Sequence, residues 1–313
     1  MSPAPSVEKR DPMDVPSTTT SHAAEIESGA RFEFGKNWTR FLAVLDDERI
    51  DEACKSLRRM LGVQSLARRS FLDIGCGSGL FSLAAMRLGA ARVVSFDFDP
   101  HSVACARELK RRYYPDAAHW TIEQGSVLDE AYLERLGSFD VVYSWGVLHH
   151  TGELWRALAN AATPVAPGGR LFIAIYRDQG WRSAAWLRIK QLYNSGLIGR
   201  ALVLGVFVPY SWAESFLGDV ARLRNPFTRG RRYKSSRGMS KFHDLVDWVG
   251  GLPFEVASAP AVLAFFKQRR FRLENLASSN GHGCNEFVFS RAGTMPSLPP
   301  PEPPKPTPPS TAR

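Results

Sequence analysis

The residues best placed to do chemistry begin at Asp73-Ile74-Gly75-Cys76-Gly77-Ser78-Gly79, where an apolar run stops at an acidic residue and a glycine turn. Bare backbone at such a turn lets a ligand press against amides that a Cβ would shield, and the turn favours φ values that glycine adopts freely. A dinucleotide fingerprint would need its third glycine at position 80, where this chain has Leu80. Asp73 ahead of the glycines suits a cationic ammonium and would repel a pyrophosphate. Asp97 follows about twenty residues after the turn, the offset at which a carboxylate accepts both hydroxyls of a ribose. Further on, His149 and His150 offer imidazoles that take a proton near neutral pH. No His, Asp, Glu or Cys set has metal-ligand spacing, so no metal is expected.

Those groups need a frame that brings them to one edge. The pattern predicts strands over Ser70–Ile74, Arg92–Phe98, His119–Gln124, Asp140–Ser144 and Arg170–Tyr176, the last after a turn at Pro167-Gly168-Gly169. Helices are predicted over Leu80–Leu88, stopped by Gly89, and from Pro100 to about Tyr114, with Asp99 as N-cap. Strand and helix in alternation argue for a parallel, doubly wound α/β sheet, and ligands of such sheets bind beyond the carboxyl ends of the strands. The chain turns from strand to helix near Ser144-Trp145, which puts His149 and His150 at that edge. The final segments Arg272–Leu276 and Cys284–Phe289, around a glycine-containing loop, predict an antiparallel pair. Ahead of the sheet, Phe32–Leu45 and Ile50–Leu61 have helical spacing, with Gly62 as a stop.

The glycine stretch resembles motif I of the class I S-adenosylmethionine (SAM) methyltransferases. Gly146-Val147-Leu148-His149-His150 and Pro167-Gly168-Gly169 match the type 11 methyltransferases, which include the ubiquinone-pathway O-methyltransferases. The resemblance runs over roughly Phe32–Ser290, interrupted by an insertion. It implies a Rossmann-like sheet of about seven strands with SAM as methyl donor. Asp73, Gly75, Cys76, Gly77, Gly79, Asp97, Phe98, Ser126, Val127, Ser144 and Trp145 would be its contacts, and an N-terminal helix its lid, with Asn37 and Trp38 as candidates to face it, although core packing is the favoured role for Trp38. A sulfonium methyl is strongly electrophilic, so the protein must mainly align the nucleophile and take its proton. His150 is the first candidate base, because the apolar Val147-Leu148 suggests that the turn at His149 still faces inward. His149 and Tyr176 come next, with Asp178 facing the same cleft and His282 more remote. The expected reaction is methylation of a small-molecule hydroxyl, amine or carboxyl. A tRNA wobble-uridine-type acceptor is the alternative. A non-catalytic SAM-binding protein and an NAD-dependent oxidoreductase stand behind it.

The rest of the chain bounds this reading. Of 313 residues, 44% are hydrophobic, enough for a sizeable core, and no run is long enough to span a membrane. Residues 1–30 and 292–313 have the composition of disordered tails around a domain at 31–291. No secretion signal is read, and Cys54, Cys76, Cys105 and Cys284 are scattered as reduced thiols of a cytoplasmic protein would be. The insertion, residues 181–250, holds a helix marked by Trp186, Ile189, Leu192 and Tyr193, then the apolar run Leu202–Tyr210. That run suits a greasy acceptor pocket, a membrane surface or plain core packing. Residues 222–241 carry eight of the basic residues behind the net charge of +9 and no acidic one. Such a stretch can hold an anionic acceptor, track a phosphate backbone, or be a solvated loop. Oligomeric state has no signature in the sequence.

Overall fold

A computed structural model describes residues 22–28, 31–32, 34–221, 249–278 and 283–293. Three helices come first: α1 (His22–Glu27), α2 (Gly35–Leu42) and α3 (Asp47–Leu61). The alternating part follows as β1 (Ser70–Ile74), α4 (Leu80–Arg87), β2 (Arg92–Asp97), α5 (Pro100–Tyr113), β3 (Trp120–Gln124), α6 (Glu130–Leu136), β4 (Phe139–Trp145), a 3-10 turn at Leu148–His150, α7 (Leu154–Ala162) and β5 (Val165–Tyr176). Two helices, α8 (Trp181–Asn194) and α9 (Leu197–Ala221), open the insertion, and α10 (Ala259–Gln268), β6 (Phe271–Ser278) and β7 (Cys284–Arg291) end the fold.

The strands form one sheet in the order β3-β2-β1-β4-β5-β7-β6. The first five run parallel, and β7 lies antiparallel between β5 and β6. The winding therefore reverses between β1 and β4, which opens a crevice at their carboxyl ends. Successive residues of β1 face opposite cores: Phe71 packs with α3, α4 and Trp120, and Leu72 with α7 and Phe266 of α10. Burial on both faces explains why the inner strands read as near-continuous apolar runs. The ends of α3 follow from its sequence. The Asp46 side chain accepts from the Arg49 amide at 3.0 Å, and Gly62 stops the helix at φ 62°.

Several expectations need correcting. Pro167-Gly168-Gly169 is not a turn before β5 but a bulge within it: Phe139 pairs with Val165 and Val141 with Arg170, so residues 166–169 loop out opposite Asp140. A Cβ on Gly169 would lie 2.9 Å from the Ala166 carbonyl, so no side chain fits there. Helix α1 lies inside the stretch expected to be a tail, tied down by an ion pair between Glu25 and Arg31. Leu192 of α8 is exposed, and the stripe that faces inward contains Lys190 and Tyr193. The sequence pattern did not mark α6 or α10. The basic residues of 222–241, His282, and the tails 1–21 and 294–313 lie outside the described residues. Among the described residues no helix is long and apolar enough to cross a membrane.

Candidate active site

The carboxyl ends of β1 to β4 and the N-terminal helices enclose a cleft of about 1400 Å³. On one side the chain leaves β1 through the glycine turn. Gly75 has φ 70° and Gly77 φ 52°, conformations that cost side-chain-bearing residues dearly. Added Cβ atoms would also strike Val147 at 2.4 Å and the Trp38 indole at 2.8 Å, respectively. Trp38 of α2 is thus laid over the glycine turn, as a lid helix would place it; the Asn37 side chain is not among those described. Helix α2 is itself seated on α5, since a Cβ on Gly35 would lie 2.2 Å from an Asp99 carboxylate oxygen.

Two carboxylates face this side. Asp73 is buried and accepts from the Ser82 hydroxyl at 2.5 Å, in a chain that runs on through Ser95 to the Trp120 indole. Burial pushes its carboxyl up to about 7. Asp97, at the end of β2, accepts from the amides of Gly77 and Asp99, each at 2.9 Å. Burial outweighs those two hydrogen bonds and holds it up at about 6. Asp99 instead caps α5, accepting from the His101 amide at 2.8 Å. Cys76, Gly77, Phe98, Ser126, Val127 and Trp145 also line the cleft. Ser144 does not. It is fully buried and donates to the Ile74 carbonyl at 3.1 Å, so its hydroxyl fastens β4 to β1 behind the cleft. Gly79 caps α4 at φ 81° and packs against Ala106, without lining the cleft.

The cleft is further lined by Phe32, Phe34, Val147, which packs against Gly75, and His150. Of the three expected catalytic residues the structure brings His150 alone to the cleft. His149 is wholly buried beneath it, with its ring 4.0 Å from that of Tyr176, and neither lines the cleft. The Tyr176 amide donates to His149 Nδ1 at 3.4 Å, and His149 Nε2 finds no hydrogen-bond partner among the described residues. Burial carries the His149 pKa well below the usual histidine range. Asp178 spends a carboxylate oxygen on the Gly180 amide at 2.8 Å, at the start of α8.

The state of His150 follows from its partner. Nδ1 lies 2.6 Å from the Pro253 carbonyl. A carbonyl only accepts, so Nδ1 carries the proton and Nε2 the lone pair. Burial pulls the His150 pKa down to about 3, with Lys190 and Arg31 adding to the fall against the Pro253 bond, so the ring is neutral throughout the physiological range.

Sequence reasoning missed what holds this wall. Residues 253–257 run along it like a short ribbon: Glu255 donates its amide to the His149 carbonyl at 3.0 Å, and Ala257 its own to Tyr176 at 3.0 Å. The Glu255 carboxylate accepts from the Leu154 amide at 3.0 Å and caps α7 from outside the helix. Lys190, fully buried, sits with its ammonium 4.8 Å over the Phe254 ring, and burial lowers its pKa to about 7. Arg31 closes the mouth, donating to the His150 carbonyl at 3.0 Å with its guanidinium 5.1 Å over Phe98. Tyr143, stacked on Phe81, presents a buried hydroxyl with no partner among the described residues. One signal was available. Lys190 lies four residues after Trp186 and three before Tyr193, which puts a charge on the apolar stripe of α8.

Residues 72–173 match the family described as "Methyltransferase domain". Over 111 residues the chain is 36% identical to a ribosomal protein L11 methyltransferase of Azotobacter vinelandii, covering 36% of this chain and 35% of that protein. It is 31% identical over 109 residues to a tRNA U34 carboxymethyltransferase of Cellvibrio japonicus, covering 35% and 33%. A ubiquinone biosynthesis O-methyltransferase of Rhodopseudomonas palustris is 29% identical over 136 residues, covering 43% and 51%. The chain thus spans about a third to a half of the length of these relatives. Among solved structures, PKMT2 of Rickettsia typhi in complex with AdoHcy superposes with a TM-score of 0.51 at 13% identity, covering 78% of this chain and 53% of that one, a likeness of fold.

Proposed function

Residues 72–173 of this chain are a methyltransferase domain, and from that premise we propose that the protein methylates an acidic hydroxyl or a carboxyl of an apolar small molecule, with SAM as donor. The observation that carries this reading is one cleft lined by the buried Asp73, the half-buried Asp97 and a neutral histidine set among aromatic rings. The donor side fits SAM. Its ammonium and sulfonium are the charges that two desolvated carboxylates with raised pKa values would attract, and Asp97 can trade its backbone amides for ribose hydroxyls. Bound there, SAM supplies a methyl group open to direct in-line displacement.

The protein's own part is positioning and proton transfer. Phe32, Phe34 and Val147 exclude water from the acceptor. His150 accepts the proton at Nε2 as the acceptor oxygen bonds to the methyl carbon, while Nδ1 keeps its own proton and donates it in a hydrogen bond to the Pro253 carbonyl. An imidazole held near pKa 3 is a weak base. It therefore suits a phenolic or enolic hydroxyl or a carboxyl, which gives up its proton more readily than an aliphatic alcohol does. His149 and Tyr176 serve as supports behind His150. The unit is one domain over residues 31–291, in which helix α8 of the insertion backs the acceptor wall through Lys190 against Phe254. Four free thiols support a cytoplasmic setting.

A tRNA acceptor is the second reading, supported by the basic residues of 222–241 and by the tRNA-modifying relative. Labelled SAM offered with small-molecule extracts and with total tRNA separates the two. Label in an organic-soluble product, lost in His150→Ala, is expected. Label in one tRNA position instead would overturn the small-molecule reading. Calorimetry showing NAD but not SAM binding would overturn methyl transfer altogether, and SAM binding without label in any fraction would mark a binding protein.

A further inference from the structure

Helices α8 and α9 form a hairpin whose inner seam is accounted for. Val203 of α9 packs with Tyr193 and Val249, and Phe207 meets Trp186 at 5.2 Å between ring centroids. The neighbouring stripe of α9 is Ile198, Leu202, Val206 and Tyr210, one residue every helical turn. It is as apolar as the seam and faces out, with Ile198 79%, Leu202 58%, Val206 64% and Tyr210 62% exposed. Beyond it Trp212 is 70% exposed. A surface helix normally turns a polar face outward, so an apolar stripe of this length marks something that covers it.

Charge selects the occupant. Over the hairpin, residues 181–221, the exposed basic residues are Arg182, Arg188 and Arg200, Lys190 is buried, and the acidic residues, Glu214 and Asp219, come only after the stripe, towards the end of α9. The chain that continues past α9, outside the described residues, adds the eight basic residues of 222–241. A second copy docked on this face would bring the exposed arginines of both chains to one seam, in excess of the one Glu and one Asp that each α9 carries. An apolar stripe with Tyr and Trp at one end and an excess of arginine suits the interface of an anionic bilayer, where rings settle among headgroups and cations meet lipid phosphates.

We propose that the outward face of α9 docks the protein on anionic membrane surfaces, with Ile198, Leu202 and Val206 entering the interface and Arg182, Arg188 and Arg200 held to the headgroups. This inference does not depend on the reaction assigned to the cleft. Its test is co-sedimentation of the full chain with vesicles of phosphatidylcholine, alone or mixed with phosphatidylglycerol. Expected are pelleting with the mixed vesicles, weakening as salt rises, and a loss of about tenfold or more in Leu202→Glu/Val206→Glu. Arg182→Gln/Arg188→Gln/Arg200→Gln should lose the preference for phosphatidylglycerol. Because all these side chains are exposed, both variants should keep the wild-type melting curve and SAM affinity. No pelleting at low salt, equal pelleting with both vesicles, or undiminished binding by Leu202→Glu/Val206→Glu would overturn the proposal. So would a self-associating species that the same variant makes monomeric, or tRNA binding lost in it without vesicle binding by the wild type.

Discussion

Asp97 shows at the scale of one residue how the cleft stores its affinity. Its half-buried carboxylate accepts from the Gly77 and Asp99 amides, and under the proposed function its removal takes away the acceptor for the ribose hydroxyls. Asp97→Ala is expected to weaken SAM by about 1.5–3 kcal/mol, roughly 10- to 150-fold, as read by calorimetry. The pH dependence has a definite sign. A donor that is itself cationic favours the ionised carboxylates, whose pKa values in the free protein are about 7 and about 6 for Asp73 and Asp97. SAM affinity should therefore be level above that range and fall as pH drops through it, with protons released on binding inside it. His150 adds no limb there, since its ring stays neutral down to about pH 3. An affinity flat from pH 8 to pH 5 would contradict the assignment of both carboxylates. The donor-side residues were legible because glycines and acids at fixed offsets are backbone chemistry, written locally. Ser144 read the same way and proved otherwise, because a sequence does not say which side of the strand its hydroxyl takes.

At the scale of elements, α2 and the glycine turn act as one piece. Gly77→Ala meets two obstacles, a left-handed φ and the Trp38 indole 2.8 Å from the new Cβ. It should lower SAM affinity together with the melting temperature, and Trp38→Ala in the same chain should restore part of the melting temperature by removing the second obstacle. Helix α10 went unmarked in the sequence, yet its Phe266 is fully buried and stacks on Phe289 at 4.4 Å. Phe266→Ala should cost about 3–5 kcal/mol in denaturant unfolding. Strands β1, β2 and β4 were legible to within a residue at each end because burial on both faces leaves unbroken apolar runs, whereas β5 begins five residues before its apolar run does. The acceptor wall was not, because it is built by residues 253–257 bonding to His149, His150 and Tyr176 across about a hundred positions of sequence.

For the molecule as a whole, the buried charges set how stability follows pH. Lys190 has its pKa lowered from 10.5 to about 7 on folding, so protonation is resisted in the native state. Stability should rise between pH 7 and pH 9, at up to about 1.4 kcal/mol per pH unit, before the raised Cys284 thiol begins to oppose it. Lys190→Met should remove that slope in urea titrations run across the range; an unchanged slope would place the charge elsewhere. Below pH 7 the lowered histidines favour folding as pH rises and the raised Asp73 and Asp97 disfavour it, so the two sets largely offset. The Pro253 carbonyl has a consequence for how such a protein diversifies. The atom that sets the tautomer of His150 comes from just beyond the insertion, whereas the glycine turn, Asp73 and Asp97 lie before the insertion in the chain. An exchange of residues 181–250 is expected to leave the glycine turn and Asp97 undisturbed, provided that the graft returns a carbonyl to that same position. A graft that fails to do so leaves the imidazole free to flip its proton to the wrong nitrogen. The compatibility of such an exchange then turns on a single backbone oxygen.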